Sequence, residues 1–462
     1  MQERENYTRR RQFVVILMFP MFSTELPLQI RTPSLVLTSP PPPAVSHRLR
    51  RSIVRWLVAL FLPLSAAPAQ TTVSIQGEKF YINGIRTHAN NAWDGTLPNC
   101  RMVNATFDDA NSATVSLWKY PDGSPYNPAR QTNEFVAALP LYRANGLLAV
   151  SLNFQGGRPL DGTGGQPWDN SAFNSDGSLK PAYLMRIDQA IRALDAQGMV
   201  AILGYFYFGQ SGRLASETAV RNATANATQW VLSQGYRNVL IEIANETDSP
   251  EYAYPILQPP RVIELIKAVQ TQSASFGRRL YVSTSFTGGV IPPFEIAQAE
   301  DFILLHGNNQ TAAAITSMVN TVRGYNLNKP VMFNEDSTDI ENFESATNNQ
   351  ASWGYHDTGQ NNYVDGFQTP PTNWSINTAP KKNFFNLLAT PLKPIRSMVK
   401  TGAVVTVNFD SAPNIIYQMQ SSGALGSAFS NLGNPQTGSG STLTFTDLNA
   451  PADRGFYRVI VP

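Results

Sequence analysis

The sequence predicts a (β/α)8 barrel followed by a small β-sandwich, and three observations carry that prediction. Short apolar runs alternate with helix-like segments between about residues 147 and 390. The runs are apolar throughout rather than at every second position, the pattern of strands buried on both faces of a parallel sheet. After residue 402 the helical pattern stops, and short strands follow between Gly, Asn, Pro and Ser turns.

Residues 1–69 are set aside from this fold. Residues 33–46 are rich in Pro and Ser, and the stretch from Arg48 to Ala69 has a basic start, an apolar middle and Ala67-Pro68-Ala69 as an A-x-A cleavage site, the make-up of a secretory signal. Cleavage after Ala69 and a secreted or periplasmic location are expected, and the depth of the signal in the chain predicts a start downstream of Met1, at Val45. The 462 residues carry a net charge of +2, but nine Arg and three Glu lie in the leader, which leaves 26 basic against 30 acidic residues, net −4. That balance removes the case for a nucleic-acid partner. The one cysteine, Cys100, allows no intrachain disulfide, and 42% apolar content over this length suffices for one large core and a small module. No stretch of the mature chain is long and apolar enough to be a membrane span.

Element by element, KFYINGIRTH (79–88) reads as strand alternation around an Asn-Gly turn. The first barrel strand is placed near THANNAW (87–93), with 94–130 as an insertion behind it. Seven more follow: LLAVSLNF (147–154), MVAILGYFYF (199–208), VLIEIANE (239–246), LYVSTSF (280–286), FILLHGN (302–308), PVMFNE (330–335) and ASWGYH (351–356). Between them lie segments such as YLMRIDQAIRALDAQG (183–198) and PRVIELIKAVQTQSASFG (260–277), each ending in the Gly that stops a helix. Eight alternating units give a barrel domain over 70–395, with the sandwich over 402–462.

Two of the strands carry acids. VLIEIANETD (239–248) holds Glu242 and Glu246 in an apolar run, and PVMFNEDST (330–338) likewise ends in Asn334-Glu335. A carboxylate in such a setting needs a partner or a task. Alternation points Glu242 and Glu246 the same way, about 13 Å apart along the strand. Only Glu246 then reaches the C-terminal mouth, where barrel enzymes keep their chemistry; Glu242 is expected inside, held by an Arg or by hydrogen bonds. Glu335 ends its own strand at the same mouth. Two mouth-facing carboxylates suit glycoside hydrolysis, which needs a protonated acid and an ionised partner.

At these residues a resemblance enters. Asn245-Glu246 and Glu335, 89 positions apart, resemble the strand-four acid/base and strand-seven nucleophile of the clan A glycoside hydrolases, the retaining (β/α)8 enzymes that include family five cellulases and mannanases. The likeness covers about residues 75–390, and RMVNATFDD, YPDG, FYFGQ, YRNVLIEIANE, LLHGN and NED further resemble bacterial and fungal sequences known only as candidate glycoside hydrolases. It implies Glu246 as acid/base, Asn245 as the contact to the sugar 2-hydroxyl, Glu335 as nucleophile, His306 as the strand-six histidine and Trp353 as the strand-eight aromatic floor. Three departures stand out: Asn153 and Gln155 replace an Arg at the end of strand two, Tyr205 and Tyr207 replace a strand-three His, and His306-Gly307-Asn308 replaces a His-x-Tyr whose tyrosine orients the nucleophile. Tyr207 and Asn153 join the candidate substrate contacts.

Other chemistries find little support. His88, His306 and His356, the mature-chain histidines, are scattered without HxH or HExxH, so no catalytic metal is expected. No Gly-x-Ser-x-Gly elbow, P-loop or dinucleotide fingerprint appears, so neither a serine esterase nor a cofactor enzyme is expected. Trp93, Trp118, Trp168, Trp353 and Trp374 either line a sugar cleft or pack the core, and Trp353 is the best placed for the cleft. Asp248 and Asp336 read as solvated loop acids or helix caps. The C-terminal strands AVVTVNF, IIYQMQSS, STLTFTD and FYRVIV offer no aromatic platform, which favours a spacer or docking role over sugar binding. The expected function is that of an exported, monomeric, retaining glycoside hydrolase acting on an oligo- or polysaccharide. A noncatalytic carbohydrate-binding protein on a degenerate barrel, or a hydrolase or lyase using the same acids on another substrate, are the alternatives.

Overall fold

The computed structural model describes residues 70–89, 93–160, 165–358, 363–389, 395–411, 416–423, 429–451 and 455–460. The expected leader and its cleavage site lie outside the described residues. The first element is an antiparallel ribbon, β1 (Val73–Gln76), β2 (Lys79–Ile82) and β3 (Ile85–Arg86). Its turn is Asn83-Gly84, with φ of 54° and 75°, the left-handed pair that a tight hairpin requires and that Asn and Gly tolerate best. Val73 and Phe80 of this ribbon are buried with Leu97, Val200, Ile202, Leu240, Leu304 and Met332. The ribbon therefore covers the end of the sheet opposite Glu246 and Glu335.

Eight parallel strands follow: β4 (Asn99–Arg101), β5 (Ala149–Asn153), β6 (Val200–Tyr207), β7 (Val239–Asn245), β8 (Tyr281–Ser283), β9 (Ile303–His306), β10 (Val331–Glu335) and β11 (Gly354–Tyr355). Six form one sheet in the order β11-β4-β5-β6-β7-β8, and β9 and β10 form a second ladder. A parallel bridge between Met332 and Ser352 joins the two ladders on one side, and on the other the Asp301 N–H donates to the Val282 carbonyl at 2.8 Å. Each strand is followed by a helix: α1 (Pro128–Ala144), α2 (Pro181–Ala196), α3 (Glu217–Ser233), α4 (Val262–Ser275), α5 (Phe294–Ala299), α6 (Ala312–Arg323), α7 (Ile340–Asn348) and α8 (Ala379–Ala389). Local sequence starts several of them. The side chains of Asn127, Ser216, Thr311 and Asp339 accept the free N–H groups at the starts of α1, α3, α6 and α7, caps worth about 1 kcal/mol each. Pro128 and Pro181 occupy the first helical position of α1 and α2, where a missing N–H costs nothing. Among the described residues, no helix is long and apolar enough to cross a membrane.

The first strand is not where the sequence placed it. It is Asn99-Cys100-Arg101 rather than 87–93, and it pairs with both β11 and β5. Trp93 instead packs edge-on against His88 and Phe343. Three residues, two of them polar, make no apolar run, so periodicity cannot mark β4. The insertion behind it correspondingly runs from residue 102 to 127.

The C-terminal unit comprises β12 (Ile395–Thr401), β13 (Val404–Asp410), β14 (Ile416–Ser422), β15 (Ser430–Thr437), β16 (Thr442–Asp447) and β17 (Phe456–Ile460). They form two antiparallel sheets, β12-β13-β16 and β15-β14-β17, which share the buried residues Val405, Val407, Phe409, Tyr417, Met419, Phe445 and Tyr457. The unit begins before the expected residue 402. Gly402, at φ 61°, is the turn of the β12–β13 hairpin rather than a boundary.

Candidate active site

The ends of β4, β7, β9, β10 and β11 bring five charged or titratable side chains together, Arg101, Glu246, His306, Glu335 and His356. Glu335 owes its direction to an irregularity: the pairing of β10 with β9 shifts between Phe333 and Glu335. Strict alternation fails there, and both Asn334 and Glu335 face inward. Asn334 Nδ2 donates to Glu242 Oε2 at 3.0 Å, and Glu335 Oε2 meets Arg101 Nη1 at 2.8 Å, a charge contact rather than an aligned hydrogen bond. Glu335 Oε1 accepts from Asn308 Nδ2 at 2.9 Å, with His356 Nδ1 at 3.5 Å from the same oxygen. Burial pushes the Glu335 pKa up, but the Arg101 charge, then His306, His356 and the Asn308 hydrogen bond, outweigh it and hold the carboxyl down at about 2. Glu335 is an anion across the working range of pH.

Glu246 sits in a different setting. It follows β7 with φ 51°, a left-handed conformation that is strained for a residue with a side chain. Its N–H donates to Ser285 Oγ at 2.9 Å, and its Oε1 lies 3.1 Å from His306 Nδ1. No arginine touches it in the described structure, and at 15% side-chain exposure it is more open than Glu335 at 8%. His306 itself is fully buried, 3.6 Å from Glu335 Oε2 through Nδ1 and 3.9 Å from Glu242 Oε1 through Nε2. Burial opposes its charge, and the Glu335, Glu246 and Glu242 carboxylates outweigh that to raise its pKa.

The remaining expected site residues divide. Asn245 accepts from Arg101 Nη2 at 3.1 Å, and its buried Nδ2 has no partner among the described residues, a donor left over for a ligand. Tyr207 lies against Arg101, whose guanidinium carbon is 5.9 Å from the ring centre. Asn153 is buried with both amide atoms unpaired, and its Oδ1 fills the space beside Gly204, where a Cβ would come within 2.2 Å of it.

Trp353 does not join them. Its indole Nε1 donates to Asp336 Oδ2 at 2.5 Å, and its ring packs on Phe343 of α7 and Phe384 of α8. Gly354 takes the inward position of β11, where a Cβ would come within 2.6 Å of the Asn334 backbone, so alternation sends Trp353 into the helix layer. Trp93, Trp118, Trp168 and Trp374 are likewise buried packing residues. Asp336 is a further correction: it is buried beneath Gly307, not solvated. Burial pushes its pKa up to about 7 against the hydrogen bonds from Trp353 and Asn342. Asp248 is half-buried in its loop and accepts from Thr287 N–H and Oγ1.

Sequence reasoning missed Arg101, Asn308 and His356 as site residues. Asn308 was within reach: it stands where the resemblance puts a tyrosine facing the strand-seven acid, and it donates to Glu335. Arg101 lies in a strand with no apolar signal, whereas His356 closes the run ASWGYH, directly after β11, and its strand-end position was the signal that could have found it. Donor atoms of Glu246, His306 and Glu335 lie within 4.8 Å of one another, a spacing that a cation could bridge. Arg101 already supplies positive charge to Glu335 at 2.8 Å, so the cluster is built as an acid pair with a fixed cation rather than as a metal cage.

No family model matches the chain, and no curated protein matches it. Its neighbours among solved structures are glycoside hydrolases. One described as a glycoside hydrolase is 9% identical, covering 85% of this chain and 96% of that one at a TM-score of 0.46. A family 5 glycoside hydrolase from Bacteroides vulgatus is 11% identical, covering 85% and 92% at 0.45. A β-1,4-D-mannanase from Cryptopygus antarcticus is 12% identical, covering 62% and 88% at 0.42. At these scores the likenesses decide nothing by themselves, and the weight rests on the geometry of the acids.

Proposed function

We propose that this chain is an exported retaining glycoside hydrolase on a (β/α)8 barrel with an appended β-sandwich, in which Glu335 is the nucleophile and Glu246 the acid/base. One observation carries the reading: two carboxylates within 4.8 Å, oxygen to oxygen, sit in opposite environments. One oxygen of each group within 4.8 Å of the other leaves less room than the ~6.5–9.5 Å between carboxyls that an inverting enzyme needs for its water, which supports the retaining class at ~5–5.5 Å. Glu335, held ionised by Arg101 and Asn308, attacks the anomeric carbon. The glycosidic bond breaks with its electron pair going to the departing oxygen, which takes the proton of Glu246. A water then gives a proton to Glu246 and attacks the glycosyl–Glu335 ester, which releases the sugar and restores both acids. Asn245 Nδ2, buried and unpaired, is assigned to a sugar hydroxyl.

The test is hydrolysis of a panel of aryl β-glycosides and β-glucans by the chain from Gln70, beside Glu246→Ala and Glu335→Ala. Loss of roughly 10³-fold or more in each variant is expected, with azide restoring turnover as it replaces the missing carboxylate. An inactive parent that binds sugars equally well in both variants would transfer the assignment to a noncatalytic carbohydrate-binding protein.

A further inference from the structure

Beneath the two working acids lies a third carboxylate that the double displacement does not use. Glu242 is 1% exposed, and both its oxygens accept hydrogen bonds. Ser285 Oγ reaches Oε1 at 2.6 Å and Asn334 Nδ2 reaches Oε2 at 3.0 Å. The direction of the first is fixed, because Ser285 Oγ already accepts the Glu246 N–H and must send its own proton onward to Glu242. Two incoming donors, one to each oxygen, are the pattern that an ionised carboxylate, an acceptor at both oxygens, takes. Glu242 faces one titratable partner in particular: His306 Nε2, buried, with no hydrogen-bond partner among the described residues, 3.9 Å from Glu242 Oε1. The other ring nitrogen of His306 touches Glu246. Glu242, His306 and Glu246 thus form a line from the interior to the mouth.

We propose that Glu242 is a positioning residue for the acid/base: its sealed carboxylate retains the proton shared by His306 and Glu246, and its Ser285 link fixes the strained backbone on which Glu246 stands. The inference rests on the glycosidase reading of the same site. An anion favours the protonated state of a neighbouring pair whichever atom holds the proton, so the sign does not depend on a microscopic assignment. The other groups facing the pair are Glu335 from β10, Arg101 from β4 and Tyr207 from β6, with His356 behind Glu335 and Tyr252 behind Glu242. All of them are unchanged in a Glu242 variant, which isolates the one charge.

The experiment is Glu242→Gln in the chain from Gln70, read by the pH profile of kcat/KM and by the NMR titration of the His306 imidazole. His88, buried and pushed down to about 3, stays neutral and does not interfere. The basic limb is expected to move to lower pH by about one unit, with the His306 titration falling by a similar amount. Glu242→Asp, which keeps the charge, should leave the limb and the His306 titration close to their parent positions. Ser285→Ala removes both the backbone tether of Glu246 and one of the two donors to Glu242, so it should lower kcat and move the limb in the same direction as Glu242→Gln, by less. A uniform loss of rate at every pH with an unmoved His306 titration would overturn the proposal. If Glu242→Gln fails to fold, the parent decides: a His306 that titrates at or below the ordinary value of about 6.5 overturns it. A parent inactive on every glycoside, with His306 still responding to Glu242→Gln, would uphold the coupling and overturn the glycosidase reading instead.

Discussion

Arg101 is the residue on which the division of labour turns. It is fully buried, and its guanidinium serves two partners at once, Glu335 at 2.8 Å and Asn245 at 3.1 Å. Glu335 alone would be pushed towards the protonated state by its burial; Arg101 is the largest of the groups that reverse this. The linkage has a definite sign. The carboxyl is depressed from 4.5 to about 2, so its contribution to stability is present above about 4.5 and lost as pH falls through about 2. In Arg101→Met the largest part of the reversal is lost, His306, His356 and Asn308 remain, and Glu335 takes up a proton at higher pH. The acidic limb of kcat/KM should therefore rise by at least one unit, with kcat/KM at its optimum down roughly 10²-fold. A profile that drops without moving would show that Arg101 orients Glu335 without setting its charge.

At the scale of single elements, β10 shows how an irregularity builds a site. Its register shift puts Asn334 and Glu335 on one side and sends Asp336 outward, under Trp353 and Asn342. Asp336 is raised from 3.8 to about 7, so its favourable contribution is fully present below 3.8 and lost as pH climbs through about 7. Asp336→Asn keeps an acceptor for the Trp353 indole and cannot ionise. Its stability relative to the parent should improve by roughly 2 kcal/mol between pH 5 and pH 8 in urea unfolding, and parallel curves would refute the burial of a titrating acid there. The same strand marks what a sequence can disclose. The Asn-Glu ends of β7 and β10 were legible because each closes a long apolar run, and the apolar runs of β5, β6 and β9 were legible for the same reason. Trp353 was misplaced because the resemblance supplied its role while Gly354 takes the inward position beside it, and Asp336 because a residue just past a strand end reads as exposed when here it folds back under Trp353 and Asn342. β4 escaped because three residues, one a buried arginine, leave no periodic trace, and with it went the charged partner of Glu335.

Over the whole molecule, chemistry and the C-terminal sheets are kept apart. The site residues fall between Arg101 and His356, on the strand ends opposite the β1–β3 ribbon. The six C-terminal strands have an apolar cluster of their own, joined from the preceding helices by Ala389 at the end of α8. Their sheets present no described side chain to Glu246 or Glu335. A chain of residues 70–389 should therefore fold, with kcat/KM on a small aryl glycoside within about twofold of the longer chain. Its Tm should fall by only a few degrees, since uncovering Ala389 and its immediate surroundings forfeits about 1 kcal/mol of burial. The comparison gains force with a polymeric substrate. A spacer or docking unit leaves the ratio of polymer to small-glycoside activity unchanged on deletion, whereas a sugar-binding unit lowers that ratio several-fold. If the shortened chain loses activity on the small glycoside while keeping its cooperative unfolding, the C-terminal unit completes the site, and the separation argued from the strand positions is wrong.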